Sequence, residues 1–341
     1  MSELASESSA QQGPRRGRES GSRRPVKVTL GFTTYNVERY LPLAFESVLA
    51  QDFTDFEVVV CDNRSTDRTW EICQEYAARD PRFRIHRNDE NLGEAGNFAR
   101  VVSLARGEYF RLTAHDDLMA PSLLRECVAV LDADPGVVCA YPQTVIIDAD
   151  GNRVSDWDDR LDLTDPSPVR RLAHFAQRWS LLNELFGVIR TGALRNTRLL
   201  GQYLSSDARI VAELVLQGRF QVVPARLFYR RMHPAMTFGG DRTDVLAHHE
   251  PRLAMKARKA ARRAKPGADH QVLIADVMRT FLATADQPLA TRLRSAATFG
   301  AVAESRRARI RLGKLRRRVT GGVLEKPPWE NADGSLKKES S

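Results

Sequence analysis

Four short apolar segments, KVTLGFTTY (27–35), FEVVVCD (56–62), FRIHRN (83–88) and EYFRLTAHDD (108–117), are separated by three stretches of helical periodicity, and this alternation is what most constrains the fold. The intervening stretches are YLPLAFESVLAQ (40–51), RSTDRTWEICQEYAARD (64–80) with Ser and Thr placed to cap, and EAGNFARVVSLARG (94–107), stopped by Gly107. Strands joined through helical crossovers make an α/β fold, with a mainly parallel sheet flanked by helices.

The pattern continues less regularly. A helix is expected over 120–132, then a strand pair around GVVCAYPQTVIID (136–148) with DADG (148–151) as its turn. Helical segments near 168–182 and 190–200 flank the apolar piece LFGVI (185–189). SSDARIVAELVLQG (205–218) is a helix with Ser205 or Ser206 as cap and Gly218 as stop, followed by two short strands, 219–223 and 226–234. Segments 251–265, 271–285 and 289–318 read as helices, the second with Ile274, Val277, Met278, Phe281 and Leu282 as a buried stripe. The expected organisation is a polar tail (1–25), one large domain (26–240) with halves 26–117 and 118–240, a basic helical extension (241–318) and a second disordered tail (319–341).

Composition limits the class. Of 341 residues 42% are hydrophobic and 28% charged, as in ordinary soluble domains. No apolar run nears the roughly 20 residues that span a bilayer, and the first 25 residues lack the apolar stretch of a secretory signal. Cys61, Cys73, Cys127 and Cys139 form no CxxC pair and read as buried thiols in a reduced, cytoplasmic setting. Between Arg252 and Arg318 stand 18 Lys/Arg against 4 Asp/Glu, a net +14 where the whole chain carries +9. These helices can be solvated faces, or can dock on an anionic membrane surface from the cytoplasmic side. Nucleic acid is disfavoured, because no aromatic residues interleave the basic ones.

Ligands of open α/β sheets sit beyond the carboxyl ends of the strands. Those ends carry Thr33, Thr34 and Tyr35 after the first strand, Asp62 and Asn63 after the second, and Asp116 and Asp117 after the fourth, a set that suits a nucleotide-sugar. Adjacent carboxylates repel each other, and a divalent cation between them and a diphosphate relieves the cost. Taken alone, an Asp-Asp pair is better explained as a solvated turn or the cap of the helix starting near Pro121; its context reverses that.

The context resembles the nucleotide-binding half of family 2 glycosyltransferases, which have the GT-A fold. The resemblance lies in TTYN (33–36) with its following helix, FEVVVCDNRSTD (56–67), NLGEAGNFARVVSLARGEYFRLTAHDD (91–117) and LSSDARIVAELVLQGRFQVVPARLFYRRMHP (204–234). It implies an inverting enzyme that moves a sugar from a nucleotide diphosphate, UDP by preference, to a hydroxyl acceptor that can be lipid-linked, in cell-envelope polysaccharide or glycolipid synthesis. By position, Thr33 and Tyr35 resemble residues that hold the base, and Asp62 the carboxylate that accepts from a base N–H; capping of the RSTD turn is the alternative for Asp62. Asn97 and Arg100 resemble residues facing the diphosphate and donor sugar. Asp117 resembles the carboxylate that binds Mn²⁺ or Mg²⁺ directly, and Asp116 one that contacts the ribose or the metal's water shell. His115 departs from the more acidic pattern. Asp207 falls at the catalytic base, with a simple helix-dipole acid as its alternative. Arg230 and Arg231 suit phosphate oxygens, and His233 a metal shell or phosphate.

Two rival functions share parts of this pattern. A nucleotidyltransferase would need a Gly-rich phosphate loop followed by Arg or Lys, which is absent, and a sugar-nucleotide-binding scaffold would bind without turnover. Trp157, Trp179 and Phe186 are candidates either for a sugar platform or for core packing.

Overall fold

A computed structural model describes residues 26–157, 161, 163–178, 181–201 and 206–233, and isolated stretches between 275 and 305. Four parallel strands, β1 (Val28–Thr34), β2 (Phe56–Asp62), β3 (Phe83–Arg87) and β4 (Tyr109–Thr113), stand in the order β3-β2-β1-β4. They are linked by α1 (Leu41–Leu49), α2 (Thr69–Arg79) and α3 (Gly93–Leu104). Every residue of β2 is buried because its side chains alternate between two cores. Val58 and Val60 pack with Phe45 of α1 and Tyr76 of α2, whereas Val59 and Cys61 pack with Phe98 and Val101 of α3. Gly31 makes the second layer possible, since a Cβ there would lie 2.5 Å from both Val101 and Phe110.

Past β4 the chain forms β5 (Leu118–Met119), α4 (Leu123–Ala133), the hairpin β6 (Val137–Ile147) and β7 (Arg153–Trp157), and α5 (Pro168–Arg178). A 3₁₀ turn (Asn183–Phe186), β8 (Val188–Arg190), α6 (Thr191–Arg195), α7 (Ser206–Gln217) and β9 (Arg219–Arg231) follow. These strands extend the sheet to β3-β2-β1-β4-β8-β6-β9-β5, with β7 paired to β6. β8 runs antiparallel to β4 and β6, so the sheet is mixed but mainly parallel in its first half. The fold is GT-A-like: a mainly parallel sheet flanked by helices.

Several local expectations change. The two strands expected at 219–223 and 226–234 are one, β9, whose register against β6 jumps from Pro142↔Val223 to Gln143↔Arg226. Pro224 has no N–H for the ladder, so a bulge absorbs it without ending the strand. The helix expected over 190–200 shortens to α6, and LFGVI divides between the 3₁₀ turn and β8. Ser65 does not cap α2; its hydroxyl is used by Asp62. All four cysteines are free and buried.

Residues 292–303 are helical, and Val277, Ala296, Phe299 and Ala303 are buried in the cluster that contains Phe175 and Leu214. The stripe expected over 271–285 therefore packs at Val277; Ile274, Phe281 and Leu282 lie outside the described residues, as do both tails, Trp179 and the basic runs 256–265 and 306–318. Among the described residues no helix is long and apolar enough to cross a membrane.

Candidate active site

The carboxyl ends of β1 and β4, the start of α7 and the end of β9 surround one cleft of about 240 Å³. Thr33, Tyr35, Asn97, Asp116, Asp117, Asp207, Arg230 and Arg231 all line it, so eight of the eleven expected site residues are brought together. Asp62, Arg100 and His233 do not line it.

The acidic pair sits in the turn between β4 and β5. Asp117 is only 6% exposed, and its Oδ1 accepts the main-chain N–H of Arg231 at 2.8 Å. Burial and the neighbouring charge of Asp116 push the Asp117 carboxyl up, against the pull of Arg230, the Arg231 N–H and Arg111. Burial also disfavours charge on Asp116, but His115 and His233 outweigh it and hold that carboxyl low. His233 Nε2 lies 3.0 Å from Asp116 Oδ2, and the His233 ring packs on Tyr40 at 5.0 Å between centroids. The structure thus makes His233 a partner of Asp116.

Among the described residues no three His, Cys, Asp or Glu side chains group into a ready cation cage. Two oxygen donors on a strand end, one of them destabilised as an anion, nevertheless fit a hard divalent cation whose remaining ligands come from a diphosphate. Beneath the pair lies Arg111, 1% exposed, its Nε donating to Met119 Sδ at 3.1 Å and its charge acting on Asp117. Burial pushes this guanidinium down to about 10. A charged residue inside an otherwise apolar strand is the signal that could have marked it.

Asp207 stands in the first turn of α7 and accepts the N–H of Ala208 at 2.9 Å. Burial raises its carboxyl above the usual range, opposed by that N–H and by Arg230. Arg230 thus acts electrostatically on Asp117 and Asp207 alike. Its guanidinium is anchored on Leu181 O (2.6 Å) and Asn183 Oδ1 (2.5 Å) and lies over the Phe186 ring. Arg231 is used differently from the expectation. It is 2% exposed and donates to the carbonyls of Asp116 (2.8 Å), Asp148 and Ala149 (3.1 Å each), so its charge ties loops together.

The expected base-binding carboxylate, Asp62, is fully buried. It accepts from the N–H and hydroxyl of Ser65 and pairs with Arg87 at 3.1 Å, which is the turn-capping alternative. Arg100 is not at the cleft; α3 starts at the strand ends, and the helical rise sets Arg100 about 4.5 Å further down than Asn97. Asn97 lines the cleft, but its amide donates to Cys61 O (2.9 Å) and accepts from Asn88 (3.0 Å). Asn88 also donates to Asn63 Oδ1 (2.9 Å), and Asn63 donates to Asn91 Oδ1 (2.7 Å). This asparagine network was not foreseen beyond Asn63 and Asn97. Asn88 is the first residue past β3, a strand end at which no site residue was expected.

Comparison with known proteins places the chain in a family and supports its fold. The family profile described as Glycosyl transferase family 2 matches residues 29–204. Chondroitin synthase of Escherichia coli is 36% identical over 130 residues, 38% of this chain and 19% of that protein. The uncharacterised protein Rv1520 of Mycobacterium tuberculosis is 41% identical over 129 residues, 36% of this chain and 37% of that one. The chain thus matches less than half the length of these relatives. Among solved structures, Staphylococcus aureus TarS 1-349 in complex with UDP-GlcNAc superposes with a TM-score of 0.56 at 18% identity, covering 80% of this chain and 71% of that chain.

Proposed function

The chain belongs to glycosyl transferase family 2, and we propose that it transfers a sugar from a nucleoside diphosphate, with inversion, to a hydroxyl acceptor. One observation carries the reading: Asp117 and Asp207 face a single cleft, with Arg230 acting on both. In this reaction the acceptor O–H gives its proton to Asp207. Its oxygen bonds to the anomeric carbon from the face opposite the diphosphate, and the C–O bond to the diphosphate breaks with its electron pair leaving on the phosphate oxygen. A raised carboxyl suits Asp207, because a base with greater proton affinity removes more of the barrier. Arg230 supplies fixed positive charge where the departing diphosphate gathers negative charge. Mn²⁺ or Mg²⁺ on Asp117, with Asp116 beside it, would add the charge that such a leaving group calls for.

Residues 26–117 serve the donor and residues 118–240 the acceptor. Thr33 and Tyr35 hold the base, Tyr35 by stacking. UDP is preferred if Asp62 exchanges the Ser65 hydroxyl for the imide N–H of uracil; TarS, a structural neighbour, holds UDP-GlcNAc. The basic runs 256–265 and 306–318 dock on an anionic membrane surface, which would bring a lipid-linked envelope acceptor to the cleft. A thermal-shift screen of nucleoside diphosphates and nucleotide-sugars with Mn²⁺, followed by acceptor-free hydrolysis, tests the whole. Stabilisation by UDP and release of UDP are expected. Stabilisation by GDP alone would reverse the base preference, and binding with no turnover would make the chain a sugar-nucleotide scaffold.

A further inference from the structure

The two sides of the cleft differ in chemistry. On the β1–β4 side, Thr33, Tyr35, Asn63, Asn97 and Asp116 offer hydrogen-bonding groups beside the apolar Val37, Leu112 and Ala114. On the other side, Leu181, Leu182, Leu185, Phe186 and Leu200 face the space shared with Asp207 and Arg230. Leu182 leads into the 3₁₀ turn with φ 54°, and Leu199, beside Leu200, has φ 54° as well. Left-handed backbone crowds a leucine Cβ against its own carbonyl, whereas Asn or Gly accepts it readily. Leu182, 4% exposed, thus holds an apolar side chain between the core and the cleft against its backbone preference, and strain of this kind gathers at ligand clamps.

The reaction places the acceptor hydroxyl within hydrogen-bond reach of Asp207, so the skeleton that carries it must lie along this wall. A flank made only of hydroxyl groups would lose water there and find no partner. We infer that the acceptor carries an apolar group, a methyl or alkyl substituent, beside the hydroxyl that attacks, and seats it on Leu181, Leu182, Leu185, Phe186 and Leu200. This rests on Asp207 being the base of a glycosyl transfer.

The test begins with UDP- and GDP-hexoses screened with Mn²⁺ for binding and for hydrolysis without acceptor. The donor so found is then offered paired acceptors: octyl against methyl hexosides, and 6-deoxyhexosides against the parent hexosides. The apolar member of one pair should win by at least tenfold in kcat/KM, about what a single methyl group in a fitted pocket discriminates. A response in the octyl pair identifies a lipid-like aglycone, and one in the 6-deoxy pair a deoxysugar. Leu182→Asn suits the left-handed backbone and should reduce the preference to less than about threefold. Leu199→Asn gives the same backbone relief outside the cleft lining and should leave it intact. Equal kcat/KM within both pairs, with donor hydrolysis present, overturns the inference and leaves the transferase reading standing. Neither binding nor hydrolysis of any donor overturns both. A lower Tm in Leu182→Asn with an unchanged preference would show that this chain's own residues cover the wall, and would also overturn it.

Discussion

The strand-end half and the half that follows Asp117 build one cleft by opposite means. In the first, polar side chains are bonded to one another: Asn88 joins Asn63 to Asn97, and Asp62 is taken up by Ser65 and Arg87. In the second, charged groups stand among apolar ones, with Asp207 and Arg230 beside a leucine wall. The difference separates two tasks. Mutual hydrogen bonds fix geometry before a ligand arrives, whereas burial among apolar side chains raises the cost of charge and so changes how readily a group takes a proton.

The largest effect should come from the two acids that the comparison sets apart. Asp207→Asn is expected to lower transfer by roughly 10²–10⁴-fold, the range for a lost general base, with Mn²⁺-dependent nucleotide binding retained by calorimetry. Asp117→Ala should abolish transfer and weaken that binding too. Unaltered turnover in Asp207→Asn would remove the division of roles.

Next comes the asparagine hub. Asn88→Ala leaves the acceptors of Asn63 and Asn97 without their shared donor, a loss of about 1–3 kcal/mol in denaturant unfolding. Its effect on transfer should fall on donor KM more than on kcat, since Asn88 is not itself at the cleft. A fall in kcat alone would mean that the network does more than hold the donor wall.

The smallest effect is on pH dependence. Asp207 must be deprotonated to accept a proton, and burial raises its carboxyl. Transfer should therefore decline as pH falls, with the acid limb centred above the usual carboxylate range. A limb at an ordinary carboxylate position in kcat against pH would show that the cleft does not tune this group.

Much of the first half was legible because parallel strands covered on both faces are continuous apolar runs, as FEVVVCD is. The acids at Asp116, Asp117 and Asp207 were legible through the resemblance to family 2 glycosyltransferases, since turn and helix-cap uses account for such residues taken singly. What side chains do once there was less so. Whether Asp62 faces a ligand or its own turn depends on Ser65 and Arg87, the latter on a neighbouring strand, and Arg231 spends its charge on loops more than 80 residues away. The leucine wall escaped notice because its members come from a turn and an irregular segment, where neither period 3.6 nor period 2 applies.

The hydrogen bond to Asp117 Oδ1 comes from the main chain of β9, whose position is set by Leu118↔Tyr229 and Met119↔Phe228 pairing. Any amino acid at 231 except proline can make that bond. The orientation of the carboxylate is therefore encoded in strand register, and random substitution at 231 would cost loop anchorage long before it turned Asp117; proline there, or a one-residue slip between β5 and β9, is the change that would misaim it.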